Sequence, residues 1–173
     1  PDEGGTNRAI YLANVLGLDM GMFYKRRDYT QIVNGRNPIV AHEFLGSSVE
    51  GKDVIIIDDM ISSGDSIIEV ATELKRRKAK RIFAAATFGL FTNGLDKFDQ
   101  AYEDGTISGI LTTNLIYQTP ELLSRPYYIN CDMSKYIALI IDTLNHDGSI
   151  SSILSPDERI QHVLQKYKNG ETI

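Results

Sequence analysis

Two adjacent acids, Asp58 and Asp59, directly follow an apolar run and precede a cluster of small and hydroxylated residues. Carboxylates accept hydrogen bonds from vicinal hydroxyls and can hold Mg²⁺ through water, but they repel a phosphate dianion. The segment from Ser62 to Ser66 can instead turn tightly, so that several backbone N–H groups converge on one phosphate at the positive end of a following helix. The combination predicts a site for a sugar phosphate.

A structural interpretation of the same residues is open as well. The two acids would then only start a turn, and Ser66 would only cap the next helix, as happens at many strand-to-helix junctions. Segments elsewhere in the chain are needed to separate these two interpretations.

Apolar β-branched runs alternate with amphipathic stretches, which predicts an α/β fold with a doubly wound, largely parallel sheet of about five strands flanked by helices. The run Val54 to Ile57 predicts a strand covered on both faces, and the apolar spacing from Ile67 to Leu74 predicts the helix after it. Ligands of such sheets bind beyond the carboxyl ends of the strands, which is where a loop from Asp58 to Ser66 would lie.

Further strands are predicted for the apolar runs Met20–Tyr24, Ile39–Leu45, Ile82–Thr87, Gly109–Asn114 and Tyr127–Ile129. The polar stretch from Lys25 to Asn37 between two of them predicts a mobile loop.

Helices are predicted from Ala9 to Leu16, over about Leu95 to Tyr102, near Pro120 and from Met133 to about Asn145. In the last of these, Ile137, Ile140, Ile141 and Leu144 are expected to form a buried face. Ser155, Pro156 and Glu158 predict an N-cap and capping box for a terminal amphipathic helix.

The composition limits the classes of partner. The 18 basic and 23 acidic residues give a net charge of −5, so no global positive field favours nucleic acid or an anionic membrane. The longest apolar runs are far below the roughly 20 residues that span a bilayer. A single cysteine, Cys131, cannot form an intramolecular disulfide and fits a reducing compartment. We expect a cytoplasmic, single-domain protein that binds neither nucleic acid nor membrane.

The segment from Val54 to Ser66 closely resembles the phosphoribosyl pyrophosphate (PRPP) binding signature of the type I phosphoribosyltransferase fold. Ser63-Gly64-Asp65-Ser66 stands in the place of the family's Thr-Gly-x-Thr-like phosphate loop. The segments before this signature are more specific. Pro1 to Gly5, which Arg8 follows, resembles the PDxGG motif of ribose-phosphate pyrophosphokinases (PRPP synthetases). Lys25-Arg26-Arg27 resembles the K-x-R motif in the flexible loop of the same family.

Two later segments resemble the same family. Thr87 to Thr92 is similar to its THGxFS segment, and Thr113-Asn114 is similar to its TN pair. The order and approximate spacing agree, so the chain resembles the C-terminal half of a PRPP synthetase. The resemblance implies a phosphoribosyltransferase-like catalytic domain over residues 1–154 and a C-terminal helical extension over residues 155–173. The family's N-terminal ATP-binding half would be absent from this chain, which alone should not make PRPP.

The resemblance also implies the reaction, a Mg²⁺-dependent transfer of a diphosphoryl group from ATP to ribose 5-phosphate that leaves AMP. Asp2 would hold Mg²⁺, and Gly4 and Gly5 would belong to a loop on the pyrophosphate side. Lys25 and Arg27 would act catalytically on the transferring phosphates, and homo-oligomers are expected.

For the acceptor, the resemblance implies contacts of ribose 5-phosphate with Arg27, with the acids Asp58 and Asp59, and with the phosphate loop. The loop residues are Ser62, Ser63, Gly64, Asp65 and Ser66. Asp65 departs from the family, which has glycine there, and its carboxylate could weaken phosphate binding. We expect the Asp65 side chain to turn outward and cap the following helix.

Two other functions are open. The chain could be a non-catalytic, synthetase-like regulatory subunit, which Asp65 and the C-terminal extension suggest. A salvage phosphoribosyltransferase would share the PRPP loop and would bind a nucleobase and PRPP but not ATP, although the PDxGG and K-x-R resemblances argue against it.

Overall fold

The computed structural model describes residues 5–27 and 39–171. Within these ranges the helices and strands, in chain order, are α1 (Thr6–Leu16), β1 (Gly21–Arg27), β2 (Ile39–Gly46), β3 (Asp53–Ile61), α2 (Asp65–Arg76), β4 (Arg81–Gly89), α3 (Asp96–Glu103), β5 (Gly109–Thr113), α4 (Pro120–Leu123), β6 (Tyr128–Cys131), α5 (Ser134–Asn145), α6 (Ser151–Leu154) and α7 (Asp157–Lys168).

A parallel sheet with the strand order β3-β4-β5-β6 forms the centre of the fold, and helices flank it. The predicted α/β fold class is therefore confirmed. In the described part of the chain this sheet has four strands rather than about five. The difference arises because β1 and β2 pair antiparallel with each other, as a separate two-stranded ribbon.

The apolar face of α2 was predicted correctly. Ile67, Val70, Ala71 and Leu74 are all buried, and they belong to the core cluster that also includes residues of β3 and β4. Burying a side chain such as Ile or Leu stabilises a fold by about 1.5–3 kcal/mol, so this face fixes α2 on the sheet. The start of α2 is thereby held at the carboxyl end of β3.

Strand β3 is longer than the apolar run that predicted it. The ladder with β4 continues beyond Ile57, pairing Met60 with Phe88 and Ile61 with Gly89. Asp58 and Asp59 therefore belong to the strand and not to the loop. The expectation that the run is covered on both faces is also wrong, because Ile55 is 45% exposed on the edge strand of the sheet.

The predicted loop from Lys25 to Asn37 is wrong for its first residues. Lys25 and Arg27 lie in β1, where the backbone pairs with His42 and Ile39 of β2, and the register shifts between Arg26 and Arg27. Cross-strand backbone hydrogen bonds thus extend the ribbon through residues whose charges suggested a loop. The rest of the predicted loop, residues 28–38, lies outside the described residues.

Helix α5 forms where it was predicted, but its buried face was predicted wrongly. Ile137 is 37% exposed, Leu144 55% and Ile141 63%, and none of the helix's residues is fully buried. The helical spacing is present, but no other described element covers these side chains.

The terminal helix α7 also differs in its start. It begins at Asp157 with Pro156 at the cap position and no capping side chain, so the predicted capping box is wrong. The helix packs on α1, where Gln161 Nε2 donates a hydrogen bond to the Val15 carbonyl at 2.8 Å and Tyr11 donates to Asp157. The predicted extension thus contacts the first helix of the same chain.

The helices in the described ranges do not meet the requirements of a membrane span. None combines enough residues with enough apolar character to cross a bilayer.

Candidate functional site

The turn between β3 and α2 is built around Gly64. Its φ of 84° and ψ of −8° lie in the left-handed region, which residues with a Cβ rarely adopt. A Cβ built on Gly64 would lie 2.1 Å from Cζ of Phe98, a buried residue of α3. Glycine is therefore required here by the backbone and by the packing, and the chain turns closely over α3 before α2 begins.

Asp65 is the first residue of α2, and its carboxylate is engaged by two neighbours. Lys97 of α3 forms an ion pair with Asp65 Oδ1, and the Ser63 hydroxyl donates to Oδ2 at 2.9 Å. Both contacts hold the pKa of Asp65 below its ordinary value, and the contact with Lys97 contributes most. The predicted capping role is wrong, because Gly64 occupies the cap position and the Asp65 side chain reaches across to α3.

The segment after β4 braces the same turn. The N–H of Leu90 donates to the carbonyl of Ile61 at 2.8 Å, and the N–H of Thr92 donates to the carbonyl of Ser62 at 3.1 Å. The hydroxyls of Ser62 and Thr92 lie 3.5 Å apart. The stretch that resembled the THGxFS segment thus supports the backbone of the turn from Ser62 to Ser66. Ser66 itself lies exposed in the first turn of α2.

The acid pair on β3 lies just before this turn. The N–H of Asp59 donates to Asp58 Oδ1 at 2.8 Å. Burial raises the pKa of Asp58, and the neighbouring Asp59 carboxylate adds to the rise. The hydrogen bond with Asp58 lowers the pKa of Asp59, and the positive charge of Arg8 on α1 lowers it further. The two neighbouring carboxyls therefore have pKa values shifted in opposite directions.

The structure brings together the acids Asp58 and Asp59 and the turn from Ser62 to Ser66, with Arg8 nearby. Gly5 is the buried N-cap residue of α1. Lys25 and Arg27 lie on β1, and Asp2 and Gly4 lie outside the described residues.

A polar network that the sequence did not predict lies at the carboxyl ends of β5 and β6. Asn114 Nδ2 donates to Asp132 Oδ1 at 2.7 Å and to Ser134 Oγ at 3.1 Å, and its Oδ1 accepts the N–H of Met133 at 2.8 Å. The Thr113 hydroxyl donates to the Thr87 carbonyl at 2.6 Å. The Thr113-Asn114 pair therefore joins β4, β5 and the start of α5.

Among residues 5–27 and 39–171, no group of three or more His, Cys, Asp or Glu side chains could hold a metal ion. Mg²⁺ is commonly held by one or two carboxylates together with waters and substrate phosphates. The two carboxylates of Asp58 and Asp59 fit that kind of incomplete oxygen site.

The chain is similar to known proteins over most of its length. Ribose-phosphate pyrophosphokinase of Vibrio parahaemolyticus is 31% identical over 157 residues, covering 90% of this chain and 46% of the relative. The protein of the same name from Thermococcus kodakarensis is 34% identical over 126 residues, covering 71% of this chain and 42% of the relative. The chain thus spans about half the length of the curated relatives it matches.

A solved structure shares the fold. The crystal structure of phosphoribosylpyrophosphate synthetase from Mycobacterium smegmatis superposes with a TM-score of 0.69 at 23% identity, covering 86% of this chain and 44% of that one. The resemblance to ribose-phosphate pyrophosphokinases inferred from the sequence motifs is thereby confirmed. A family model described as "Phosphoribosyl transferase domain" matches residues 1–124, well over half of the chain. This chain therefore belongs to the phosphoribosyl transferase domain family.

Proposed function

We propose that this chain is the phosphoribosyl half of a ribose-phosphate pyrophosphokinase. It binds ribose 5-phosphate and takes part in diphosphoryl transfer from ATP, giving PRPP and AMP. The observation that carries the proposal is the β3–α2 junction, where Asp58 and Asp59 directly precede a Gly64-centred turn at the start of a helix. The names of the curated relatives support the same reaction.

The junction suits the two ends of ribose 5-phosphate. The 5-phosphate would be held by backbone N–H groups from Ser62 to Ser66 and by the hydroxyls of Ser62 and Ser66, at the positive end of α2. The ribose hydroxyls would meet the acid pair. Carboxylate oxygens of Asp58 and Asp59 accept hydrogen bonds from such hydroxyls.

The transferring phosphates need positive charge rather than a protein nucleophile, because their charge spreads over several oxygens in the transition state. Lys25 would supply a compact cation and Arg27 a planar fork for phosphate oxygens. Mg²⁺, held by Asp2 and the substrate phosphates, would neutralise further charge. Gly4 and Gly5 would allow the backbone to approach the pyrophosphate closely.

The chain's length relative to its relatives bears on activity and assembly. The chain spans about half of the length of the relatives it matches, and the other half of those relatives would carry the grip on the adenine of ATP. We propose that this half alone does not form PRPP, and that the complete protein works as a homo-oligomer in the cytoplasm.

One observation favours a second candidate, a regulatory subunit without catalytic activity. Asp65 places a carboxylate where the family has glycine, next to the proposed phosphate position. A subunit of this kind would keep affinity for ribose 5-phosphate but would have lost turnover.

The proposal is tested by measuring the release of AMP from ATP and ribose 5-phosphate. The protein assayed joins this chain to the half of its relatives that the chain does not match. We expect AMP release that depends on ribose 5-phosphate, and a loss of about 100-fold or more in Lys25→Ala, because catalytic charge contacts have effects of that size. Lys52→Ala is the matched control, since Lys52 lies before β3, at the opposite end of that strand from the acids.

The outcomes separate the candidates. AMP release that Lys25→Ala leaves unchanged contradicts the assigned role of Lys25. Absence of turnover in the wild-type protein, with ribose 5-phosphate still bound, supports the regulatory subunit instead.

A further inference from the structure

Asp65 adds a negative charge beside the proposed phosphate position. A carboxylate about 7 Å from a phosphate dianion weakens its binding on the order of fivefold to tenfold even in the dielectric of water, before screening by salt. A chain that binds phosphate at this turn therefore needs a cation that offsets the charge of Asp65.

Lys97 of α3 meets that need. Its ammonium forms an ion pair with Asp65 Oδ1, across a sequence separation of 32 residues. The other carboxylate oxygen, Oδ2, accepts the Ser63 hydroxyl at 2.9 Å. Both oxygens of Asp65 are thus occupied, and the same contacts fix the Ser63 side chain within the phosphate loop.

The residue after Lys97 fixes the position of α3 relative to the turn. Phe98 is 1% exposed, and its ring lies where a Cβ on Gly64 would be. The ring also packs edge-on against Phe91, with centroids 5.1 Å apart. Adjacent residues of α3 therefore contact adjacent residues of the loop: Phe98 lies beneath Gly64, and Lys97 binds Asp65.

We infer that Lys97 is a positioning residue of the phosphate loop, which offsets the charge of Asp65 and holds its carboxylate on α3 so that a phosphate can bind at the turn. This inference rests on the proposed function of the β3–α2 junction. Asp65 and Lys97 then form a compensating pair, in which the lysine is needed for phosphate binding because the aspartate is present.

A double-mutant cycle on the full chain tests the pair. Binding of inorganic phosphate and of ribose 5-phosphate is measured by calorimetry at low and high salt for the wild type, Lys97→Met, Asp65→Gly and the double variant. We expect Lys97→Met to weaken phosphate binding about fivefold at low salt, and less at high salt. In the Asp65→Gly background, the same change should weaken phosphate binding clearly less, because the lysine then has no carboxylate to hold on α3 and only its own charge is lost.

Lys75→Met is the matched control, because it removes an exposed lysine from the last turn of α2, at the far end of that helix. It should leave phosphate binding within twofold. Far-ultraviolet circular dichroism of each variant verifies that it is folded.

A Lys97→Met effect of equal size with and without Asp65 overturns the inference, since Lys97 would then contact phosphate directly or only support the fold. No effect in either background overturns it as well, as does a wild-type chain that binds no phosphate. If phosphate follows the expected cycle but ribose 5-phosphate binds no more tightly than phosphate, the pairing stands and the proposed function fails.

Discussion

Replacing Gly64 by alanine should destabilise the fold by more than its conformation alone explains. The residue lies at a φ of 84°, and an added Cβ would come within 2.1 Å of Cζ and 2.8 Å of Cε2 of Phe98. The Phe98 ring cannot move aside easily, because it is buried and packed against Phe91. The clash must therefore be relieved by a shift of the turn or of α3.

The magnitude follows from two contributions. The left-handed conformation costs a residue with a Cβ about 1–2 kcal/mol. Forcing extra volume into a well-packed core costs a further 1–3 kcal/mol or so. We expect Gly64→Ala to lower the free energy of unfolding by about 2–5 kcal/mol, the sum of the two ranges.

Urea denaturation followed by far-ultraviolet circular dichroism measures this, since the chain has no tryptophan. Gly94→Ala is a matched control. Gly94 has a similar φ of 79°, but a Cβ there would meet nothing within 4 Å. It should therefore show the conformational cost alone, and the difference between the two variants should be about 1–3 kcal/mol.

A second variant isolates the contact with the ring. Phe98→Leu makes room for the alanine, so the combined variant Gly64→Ala with Phe98→Leu should lose less stability than the sum of the single changes. Equal destabilisation by Gly64→Ala and Gly94→Ala would refute the packing argument, as would strict additivity with Phe98→Leu.

Two further predictions concern contacts outside the turn. Arg125 donates to both carboxylate oxygens of Asp99, at 2.9 and 2.8 Å. Burial raises the pKa of Asp99, but hydrogen bonds from Tyr127 and Arg125 lower it more, to below the ordinary 3.8. The stabilisation by the Asp99 contacts is therefore complete above the pKa of Asp99 in the unfolded chain and is lost as the pH falls through its pKa in the folded chain. In urea titrations, the difference in stability between wild type and Asp99→Asn should narrow below about pH 4. A difference that stays constant with pH would contradict this. Asn114→Ala should cost about 1–2 kcal/mol in the same assay, because it leaves the Met133 N–H without its acceptor, and an unchanged midpoint would contradict the structural role of Asn114.

The sequence predicted those parts of the fold that depend on local pattern. The spacing from Ile67 to Leu74 identified the buried face of α2 correctly, because a helix on a sheet must bury one stripe. The same argument failed for α5. Helical spacing shows which side chains share a face, but whether that face is covered depends on elements elsewhere, and Ile141 is 63% exposed.

Strand ends were harder to predict, since side-chain type is a weak guide where backbone pairing continues. Asp58 and Asp59 ended the apolar run, yet the ladder with β4 extends to Ile61. The charges of Lys25 and Arg27 suggested a loop, yet their backbone pairs with β2. In both places hydrogen bonds to a partner strand fixed the structure.

In the candidate site, too, local sequence patterns were informative and contacts between distant residues were not predictable. Local motifs identified the acid pair and the turn from Ser62 to Ser66. The ion pair between Asp65 and Lys97 joins residues that are distant in sequence, and it exists only because α3 packs under Gly64. No local pattern could have indicated it.

Calorimetric titration of ribose 5-phosphate into the full chain tests the central claim most directly. We predict binding by the wild type that Asp58→Ala weakens at least tenfold, equivalent to about 1.4 kcal/mol. Asp53→Ala is the control, since Asp53 starts the same strand, at the end away from the turn, and pairs with Arg81. It should leave the affinity unchanged. A wild-type chain that does not bind ribose 5-phosphate, or equal affinity in Asp58→Ala, would contradict the assignment of the β3–α2 junction as the ribose 5-phosphate site.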